Sequence, residues 1–452
     1  MSLAAALADA LEGRGGFELV ASGAPARPGA GPRFSRHRGR VVVWPLADNV
    51  QGVWALIAAL ADGVVPVLVP DTWPPGRLAE VRARYPGFGV FTGEEILEPP
   101  SPVTADPRVF LALMTSGSTA LPKIVATSEE NLARGIAAIH EAQGLWDVAS
   151  TGMLLPLAYS YALVNQLLWA VALGRRVVLT AGLGMPADAV RDLREAAAEM
   201  LCLVASQARI LFRLRFGAAQ ALERVKVVNF AGAPFPVSSF AGIRALFPNS
   251  VVYNNYGCAE AMPRLTVAQV SSDEHDVCMV GPAIGDIELR VEGGQDVGPI
   301  VFRGSSASLG TLAGDGSLVP HQEWIPSGDL GRIVDGALHV FGRHDQVVKV
   351  AGERFSLLEI EAALLSSSCE HAMAWLETDQ QGEQSIRAVV GGTTRPTGPE
   401  LTRAFGDRLP RRFWPKRVDW AATWMELPNG KTDREAIKAR SAAGGYAQVW
   451  PG

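Results

Sequence analysis

The chain has few cysteines, and their spacing excludes two kinds of stabilising site. Only four occur in 452 residues, namely Cys202, Cys258, Cys278 and Cys369, and no two of them form a CxxC pair. Neither a disulfide framework nor a zinc knuckle is therefore expected.

A surplus of positive charge is also lacking. Lys and Arg number 41 against 46 Asp and Glu, which gives a net charge of −5. Without a dominant basic tract, a large nucleic-acid surface is not expected. Residues 1–16 contain acidic side chains and lack the basic start of a secretory signal, so we expect a cytoplasmic protein.

Charge is absent altogether from residues 148–174, a run of 27 residues. That is longer than the roughly 20 residues that span a bilayer, so hydropathy alone predicts a membrane helix. Pro156 and the adjacent Asn165 and Gln166 argue against a span, because a bilayer does not solvate polar groups. We expect a buried core segment and no membrane span, and keep a membrane protein as the alternative.

What the chain does contain is ordinary globular material, with 48% hydrophobic and 19% charged residues. Its length corresponds to about three domain-sized units of ~150 residues. Aliphatic strand patterns alternate with helix patterns, which predicts parallel sheets covered on both faces, and short β segments with Gly turns follow after residue 280. The predicted strands are 40–44, 64–69, 109–114, 177–179, 201–204, 225–230 and 250–253, and the predicted helices include 53–62 and 187–200.

The first chemical motif is a loop of small hydroxyl residues that follows a buried strand and ends at Lys123. Backbone N–H groups, hydroxyls and one cation are what phosphate oxygens need, so residues 115–123 are a candidate phosphate site. The alternative is an ordinary Ser/Thr turn. It is not a Walker loop, and the Gly-Lys-Thr at 430–432 has Met425 where that motif needs glycine.

A second motif, residues 253–260, follows another predicted strand. Its side chains would lie at the carboxyl end of the strand, where open α/β sheets bind ligands. Tyr256 can stack on a base, Asn255 can read the polar edge of the base, and Glu260 can bind Mg²⁺. The alternative is a turn with a capping glutamate.

Two further motifs lie towards the C-terminus. Residues 324–332 include Asp329, whose carboxylate can accept hydrogen bonds from both ribose hydroxyls, and a charged stretch follows at 341–354. A β-turn aspartate with surface charges is the alternative. Residues 427–434 contain Lys431, and taken alone this stretch is more typical of a turn before a solvated helix.

In this order and at these separations, the four motifs resemble the adenylate-forming superfamily: acyl-CoA synthetases, aryl-acid ligases and the adenylation domains of peptide synthetases. The resemblance covers roughly residues 105–440 and is closest to aryl-CoA ligases, through Phe-Ala-Gly-Ala-Pro at 230–234 and Glu-Ala-Met at 260–262. It implies an α/β fold in which residues 1–342 form two α/β subdomains and a small β subdomain that bind ATP and the acid. Residues 343–452 would form a small mobile α+β domain.

The resemblance also implies roles for individual residues. Lys431 would contact both the carboxylate and the α-phosphate, where a cation stabilises the charge of the transition state. The catalytic set would be Lys431, Glu260 and Lys123, with Glu260 as the Mg²⁺ ligand and Asp345 as the hinge. ATP would be bound by Thr115, Ser116, Gly117, Ser118, Thr119, Lys123, Gly232, Ala233, Pro234, Asn255, Tyr256, Gly257, Asp329 and Arg343.

The uncharged run matches the family segment that carries an aromatic gate and then lines the acyl pocket. Tyr159 occupies the gate position. An α-amino acid would need a carboxylate to pair its ammonium, because an unpaired buried charge is costly, and no acid follows Pro156 in this stretch. We therefore expect an uncharged aryl or medium acyl acid, within walls made by Tyr159, Ala231, Gly232, Gly257, Met262 and Pro263.

The implied reaction is ATP-dependent formation of an acyl-adenylate with pyrophosphate release, then acyl transfer to the thiol of CoA or of a phosphopantetheine carrier protein. The alternatives are transfer to an amine, which makes an amide, and a binding protein without turnover. Three positions depart from the family pattern: Ala259 replaces a usual Thr, Ala120 a common Gly, and Ser128 a frequent His.

Overall fold

The computed structural model describes residues 2–29, 34–115, 123–213, 221–293, 297–343, 347–350, 353–365, 369–378, 384–427 and 432–451. Its strands are β1 Glu18–Ala21, β2 Ala24–Pro25, β3 Val41–Leu46, β4 Val65–Pro70, β5 Gly89–Phe91, β6 Ile96–Leu97, β7 Leu111–Thr115, β8 Lys123–Thr127, β9 Ser150–Met153, β10 Arg176–Leu179, β11 Met200–Leu203, β12 Val227–Phe230, β13 Val251–Tyr256, β14 Thr266–Val270, β15 Met279–Gly281, β16 Glu288–Val291, β17 Gly298–Arg303, β18 Gly310–Leu312, β19 Leu318–Pro320, β20 Ile325–Val334, β21 Ala337–Arg343, β22 Val347–Val350, β23 Glu353–Ser356, β24 His371–Thr378, β25 Gln384–Gly391, β26 Arg417–Ala421 and β27 Ala447–Trp450.

The helices are α1 Leu3–Leu11, α2 Val50–Ala61, α3 Pro75–Arg84, α4 Glu129–Ala142, α5 Ser160–Ala162, α6 Trp169–Ala172, α7 Pro186–Glu195, α8 Ala205–Arg213, α9 Phe240–Leu246, α10 Leu357–Leu365, α11 Gly398–Arg408 and α12 Arg434–Ala442. Ser128 begins α4 as its N-cap: its side chain accepts from the N–H of Asn131, whose side chain bonds back to Ser128. Ser128, which stands where the family frequently has His, therefore has a structural role as a helix cap.

Two eight-stranded sheets form the larger part of the chain. The strand order of the first sheet is β14-β13-β12-β11-β9-β10-β1-β2, and all neighbours from β13 to β1 are parallel. The strand order of the second sheet is β19-β18-β8-β7-β4-β3-β5-β6. Strands β7, β4, β3 and β5 of the second sheet are parallel. Buried side chains from both sheets, α2 and α4 belong to one core cluster, so the two sheets share a covering layer of helices.

Smaller sheets follow along the chain. An antiparallel sheet, β15-β21-β20-β17-β16, ends at Arg343, and β22 pairs with β23. A four-stranded sheet, β24-β25-β26-β27, packs on α10 and α11 around its own core, which includes Ile360, Phe405 and Val418. The predicted α/β fold class, with a large N-terminal part and a small C-terminal part, is confirmed. The boundary between residues 342 and 343 stays a prediction.

The uncharged run forms several short elements that lie in the core. β9 is followed by α5, by a stretch of π-helix at Leu163–Leu168, and by α6. Gln166 donates to the Thr151 hydroxyl and the Gly152 carbonyl, and Asn165 donates to the carbonyl of Tyr161. Among the helices in the described ranges, none is long and apolar enough to cross a membrane.

One predicted helix is too long. The sequence predicts helix over 187–200, but α7 ends at Glu195. Ala197 has a φ of 50°, in the left-handed region, and the N–H of Ala198 bonds to the carbonyl of Leu193. The helix therefore ends here and the chain turns into β11. Met200, the last residue of the predicted helix, is the first residue of β11. Cys202, Cys258, Cys278 and Cys369 form no disulfide with one another.

Candidate functional site

The phosphate motif begins where a buried parallel strand ends. β7 leads to Thr115, which pairs in register with Lys123 at the start of β8, and the Thr115 hydroxyl donates to the carbonyl of Lys123 at 3.3 Å. Lys123 is exposed and Thr115 half-buried. One hydroxyl and one cation are thus held opposite each other in this strand pair.

A short segment connects this hairpin to the second motif. β18 pairs with β8, and just before it the N–H of Ser308 donates to the Glu260 carbonyl at 2.7 Å. Glu260 itself lies in a 3₁₀ turn, Ala259–Ala261, that follows β13 and leaves it partly exposed. The carboxylate is therefore presented by a turn whose backbone is anchored to the sheet of the phosphate hairpin.

His321 follows β19 and contacts Ser308, and sequence reasoning missed it. Its Nε2 is 2.8 Å from the Ser308 hydroxyl. Burial lowers the pKa of His321; the Glu260 carboxylate opposes that change and the Lys123 ammonium adds to it. Lys123 and Glu260 are thus both within electrostatic reach of one imidazole. No sequence pattern marks this histidine, because it depends on the pairing of β18 with β8.

The third motif meets the second through one hydrogen bond. The Tyr256 hydroxyl donates to Oδ2 of Asp329 at 2.7 Å, and Asp329 stands opposite Arg343 in the register of β20 and β21. Desolvation, with the Asp329 charge, raises the pKa of Tyr256 well above its usual value, so the phenol stays protonated and donates. The carboxylate of Asp329 is thus a hydrogen-bond acceptor, which is what ribose hydroxyls need.

The chain turns back tightly after Tyr256. A Cβ on Gly257 would lie 1.9 Å from the Pro263 carbonyl oxygen, so only glycine fits here. Met262 and Pro263, two predicted pocket residues, are buried. On the neighbouring strand end, Ala231 is half-buried, and Gly232 is exposed with a φ of 79°.

The predicted gate has an acidic neighbour that sequence reasoning also missed. Asp48 follows β3 and accepts a hydrogen bond from the N–H of Leu157 at 2.7 Å, two residues before the half-buried Tyr159. Desolvation, with a smaller contribution from Asp71, raises the pKa of Asp48 to about 6, against the effect of the Leu157 bond. The reasoning that no acid lies near the gate considers only residues after Pro156. Asp48 could have been considered from the sequence, because it follows the carboxyl end of a predicted parallel strand.

These groups suit ATP with Mg²⁺. Thr115 and Lys123 can hold phosphate, Asp329 can hold ribose, and the Tyr256 ring can face a base. No cluster of three or more metal-ligating side chains occurs in the described part of the chain. Mg²⁺ needs none, since it commonly binds one or two carboxylates together with substrate phosphates, and Glu260 is suited to that role.

Six of the predicted site residues lie outside the residues that the structure describes. These are Ser116, Gly117, Ser118, Thr119, Asp345 and Lys431. The other predicted site residues lie at strand ends and turns, and those of the first three motifs are brought together as described above.

Residues 90–311 match the AMP-binding enzyme family. A subunit of the linear gramicidin synthase of Brevibacillus parabrevis is 27% identical over 365 residues, which are 74% of this chain and 7% of that protein. D-alanine–D-alanyl carrier protein ligase of Staphylococcus aureus is 27% identical over 223 residues, 46% of this chain and 45% of the ligase. The chain thus spans less than half the length of these curated relatives.

Solved structures share the fold across nearly the whole chain. The anthranilate CoA ligase AuaEII in complex with anthranoyl-AMP has a TM-score of 0.80 at 15% identity, covering 98% of this chain and 97% of that one. The amide bond synthetase McbA from Marinactinospora thermotolerans has a TM-score of 0.77 at 18% identity, covering 97% and 99%. The chain carries an AMP-binding domain at residues 90–311 and has the fold of the adenylate-forming enzymes, as the four motifs predict.

Proposed function

We propose that this protein uses ATP to convert an aryl or medium acyl carboxylic acid, not an α-amino acid, into an acyl-adenylate with release of pyrophosphate. It then transfers the acyl group to the thiol of CoA or of a phosphopantetheine carrier protein. The observation that supports this most directly is the convergence of three separate motifs. The Glu260 carbonyl accepts from Ser308, next to the strand that pairs with the one carrying Lys123, and Tyr256 bonds to Asp329.

Each residue has a definite role in this proposal. Lys123 and Thr115 bind and orient phosphate oxygens, Asp329 and Arg343 hold the ribose, and Glu260 binds Mg²⁺, which neutralises phosphate charge. Ser116, Gly117, Ser118 and Thr119 supply donors between the first pair. Gly232, Ala233, Pro234, Gly257 and the backbone of Asn255 form the adenine slot with Tyr256, because the side-chain amide of Asn255 is bonded to Asn229 and Arg264.

We further propose that residues 343–452 form a mobile domain that turns about Asp345. Lys431 on this domain lies between the carboxylate and the α-phosphate during adenylation, where its charge stabilises the approach of two anions. Because the lysine serves only the first half-reaction, a moving domain can withdraw it before transfer. The separate core around Ile360 and Phe405 suits a part of the chain that moves as a unit.

An amine is the second candidate acceptor. The fold likeness to an amide bond synthetase is nearly as high as that to an aryl-CoA ligase, with TM-scores of 0.77 and 0.80. The first half-reaction is the same for both acceptors, so the choice affects only the second step.

The test is a pyrophosphate-release screen over aryl, fatty and amino acids, followed by addition of CoA, a carrier protein or an amine. We expect acid-dependent release with aryl or medium acyl acids and acyl transfer to a thiol. Lys123→Ala should lower release strongly. Arg134→Ala, which removes an exposed charge on α4 that pairs with Glu130, should not. Absence of release with every acid would refute adenylation, and preference for amino acids would refute the substrate assignment.

A further inference from the structure

A positive charge is buried beside the predicted acyl pocket. Arg264 is 3% exposed. Its guanidinium donates to Oδ1 of Asn255 at 2.9 Å and to Oδ1 of Asn165 at 2.8 Å, and lies 5.9 Å from the centre of the Tyr161 ring. It thus bridges β13 and the helical segment that contains the gate.

No carboxylate pairs with this arginine among the described residues, and the two amide bonds use two of its five N–H groups. Burying an ion without a counter-charge costs free energy, so buried arginines are normally paired. Even two half-buried arginines of the C-terminal part are paired: Arg387 contacts Glu377 and Asp419, and Arg434 contacts Glu361. Arg264 is the exception in this comparison.

The groups next to Arg264 are also donors. The Tyr161 hydroxyl is buried, without a hydrogen-bond partner of suitable geometry, beside Cys202 and Asn255. Burial raises the pKa of the Cys202 thiol to about 12, so the thiol keeps its proton. A guanidinium, a phenol and a thiol together form a set that an acceptor would complete.

A second row of amides holds this arrangement in place. Nδ2 of Asn255 donates to Oδ1 of Asn229 at 2.9 Å, and Nε2 of Gln143 donates to the same oxygen at 2.6 Å. With its nitrogen held there, Asn255 must turn its oxygen towards Arg264. The guanidinium is therefore fixed by residues from four separate parts of the chain before any ligand binds.

The position of the cluster connects it with the acid. Arg264 directly follows Pro263, Tyr161 lies two residues after Tyr159, and a Cβ on Gly257 would lie 2.8 Å from the Cα of Arg264. Three residues of the predicted pocket wall thus adjoin the donor set.

We propose that Arg264, with Tyr161 and Cys202, binds a hydrogen-bond acceptor on the end of the acid remote from its reacting carboxylate. The substrate class is then an aryl or medium acyl acid with a remote hydroxyl, carbonyl or carboxylate oxygen. This rests on the proposed adenylation. It makes Arg264 a specificity-determining residue that selects between acids without taking part in the reaction.

The experiment compares kcat/KM for pyrophosphate release within matched sets of acids. Methylbenzoic acids are compared with hydroxy- and carboxybenzoic acids of the same substitution, and pentanoic acid with glutaric acid. We expect at least one acceptor-bearing acid to be preferred at least tenfold over its methyl partner. Arg264→Met should remove that preference by raising KM for the acceptor-bearing acid, and Arg264→Lys should restore part of it.

Two controls separate specificity from stability. Arg387→Met removes an arginine from the C-terminal sheet and should change the melting temperature without changing the acid preference. Tyr161→Phe removes one donor while keeping the ring, and should reduce the preference even if Arg264→Met does not fold.

Two outcomes would overturn the inference but leave adenylation standing. In the first, pyrophosphate is released with no preference for acceptor-bearing acids. In the second, such a preference exists but Arg264→Met and Tyr161→Phe leave it intact. Release with no acid at all would overturn both.

Discussion

The two ends of the candidate site are built differently. At the nucleotide end, Glu260 and Tyr256 belong to one short motif, and Tyr256 reaches Asp329 through a single hydrogen bond. At the acyl end, the donor set around Arg264 joins the segments near residues 143, 165, 202, 229 and 255. ATP is the same in every reaction, so a few groups from one short motif suffice to bind it. A pocket that distinguishes one acid from another needs side chains from many elements.

This difference predicts two patterns of effect. Changes at the nucleotide end should weaken catalysis equally for every acid, and changes at the acyl end should alter which acid is used.

Lys431→Ala should lower adenylation by ~10²-fold or more, because one oriented charge on a developing anion contributes a few kcal/mol. The loss should be the same for all acids that are used. The variant should still transfer the acyl group of a pre-made acyl-adenylate. Pyrophosphate release and acyl transfer are measured separately, with Lys438→Ala, an exposed lysine of α12, as control. Full pyrophosphate release by Lys431→Ala would show that the lysine is wrongly assigned.

Asp329→Asn should raise KM for ATP about tenfold, because a hydrogen bond to a charged group contributes roughly 1.5–3 kcal/mol. The relative KM values of different acids should not change. Steady-state kinetics with ATP varied at saturating acid provide the measurement. Asp315→Asn, an exposed turn aspartate that bonds to Ser317, is the matched control. A change in acid preference instead would mean that the two ends are not separable.

Gly257→Ala should destabilise the protein by about 1–3 kcal/mol, the usual cost of overpacking, since the new methyl group would meet the Pro263 carbonyl at 1.9 Å. Because the clash lies between the two ends, both KM values should rise. Denaturant unfolding gives the stability change. Gly184→Ala, where a Cβ meets nothing within 4 Å, should be nearly neutral; equal stability of the two variants would contradict the close approach.

Asp48→Asn should alter the pH dependence of stability. With a folded pKa of about 6 against about 3.9 in the unfolded chain, Asp48 binds more protons when folded, so its contribution to stability falls as pH rises from 4 to 6. The substituted amide would not ionise, but its oxygen could still accept from the N–H of Leu157. The melting temperature of the variant should therefore exceed that of the parent above pH 6, and this excess should vanish below pH 4. A constant difference across this range would contradict the raised pKa.

The residues assigned to the nucleotide end lie in local sequence motifs, whereas several residues near the predicted acyl pocket do not. Asn255 and Tyr256 end β13 and Glu260 follows it, so the rule that ligands bind at the carboxyl ends of strands places all three at once. Asp48 follows a parallel strand as well, but nothing local connects it with Leu157, which is 109 residues away. His321 and Arg264 carry no pattern of their own, since a lone charged residue has no periodicity to mark it.

The sequence by itself determined the alternation of strands and helices, the absence of disulfides and the four motifs, because these depend on neighbours along the chain. It also indicated that the uncharged run lies in the core, through Pro156 and the Asn165–Gln166 pair. The tertiary structure was needed to show that the run is broken into short helical pieces and that Asp48 bonds to Leu157, near the predicted gate. It was also needed to show that Arg264 is buried without a carboxylate among the described residues. Those facts depend on which distant side chains share a dehydrated space, where the cost of an unpaired charge is set by the whole fold.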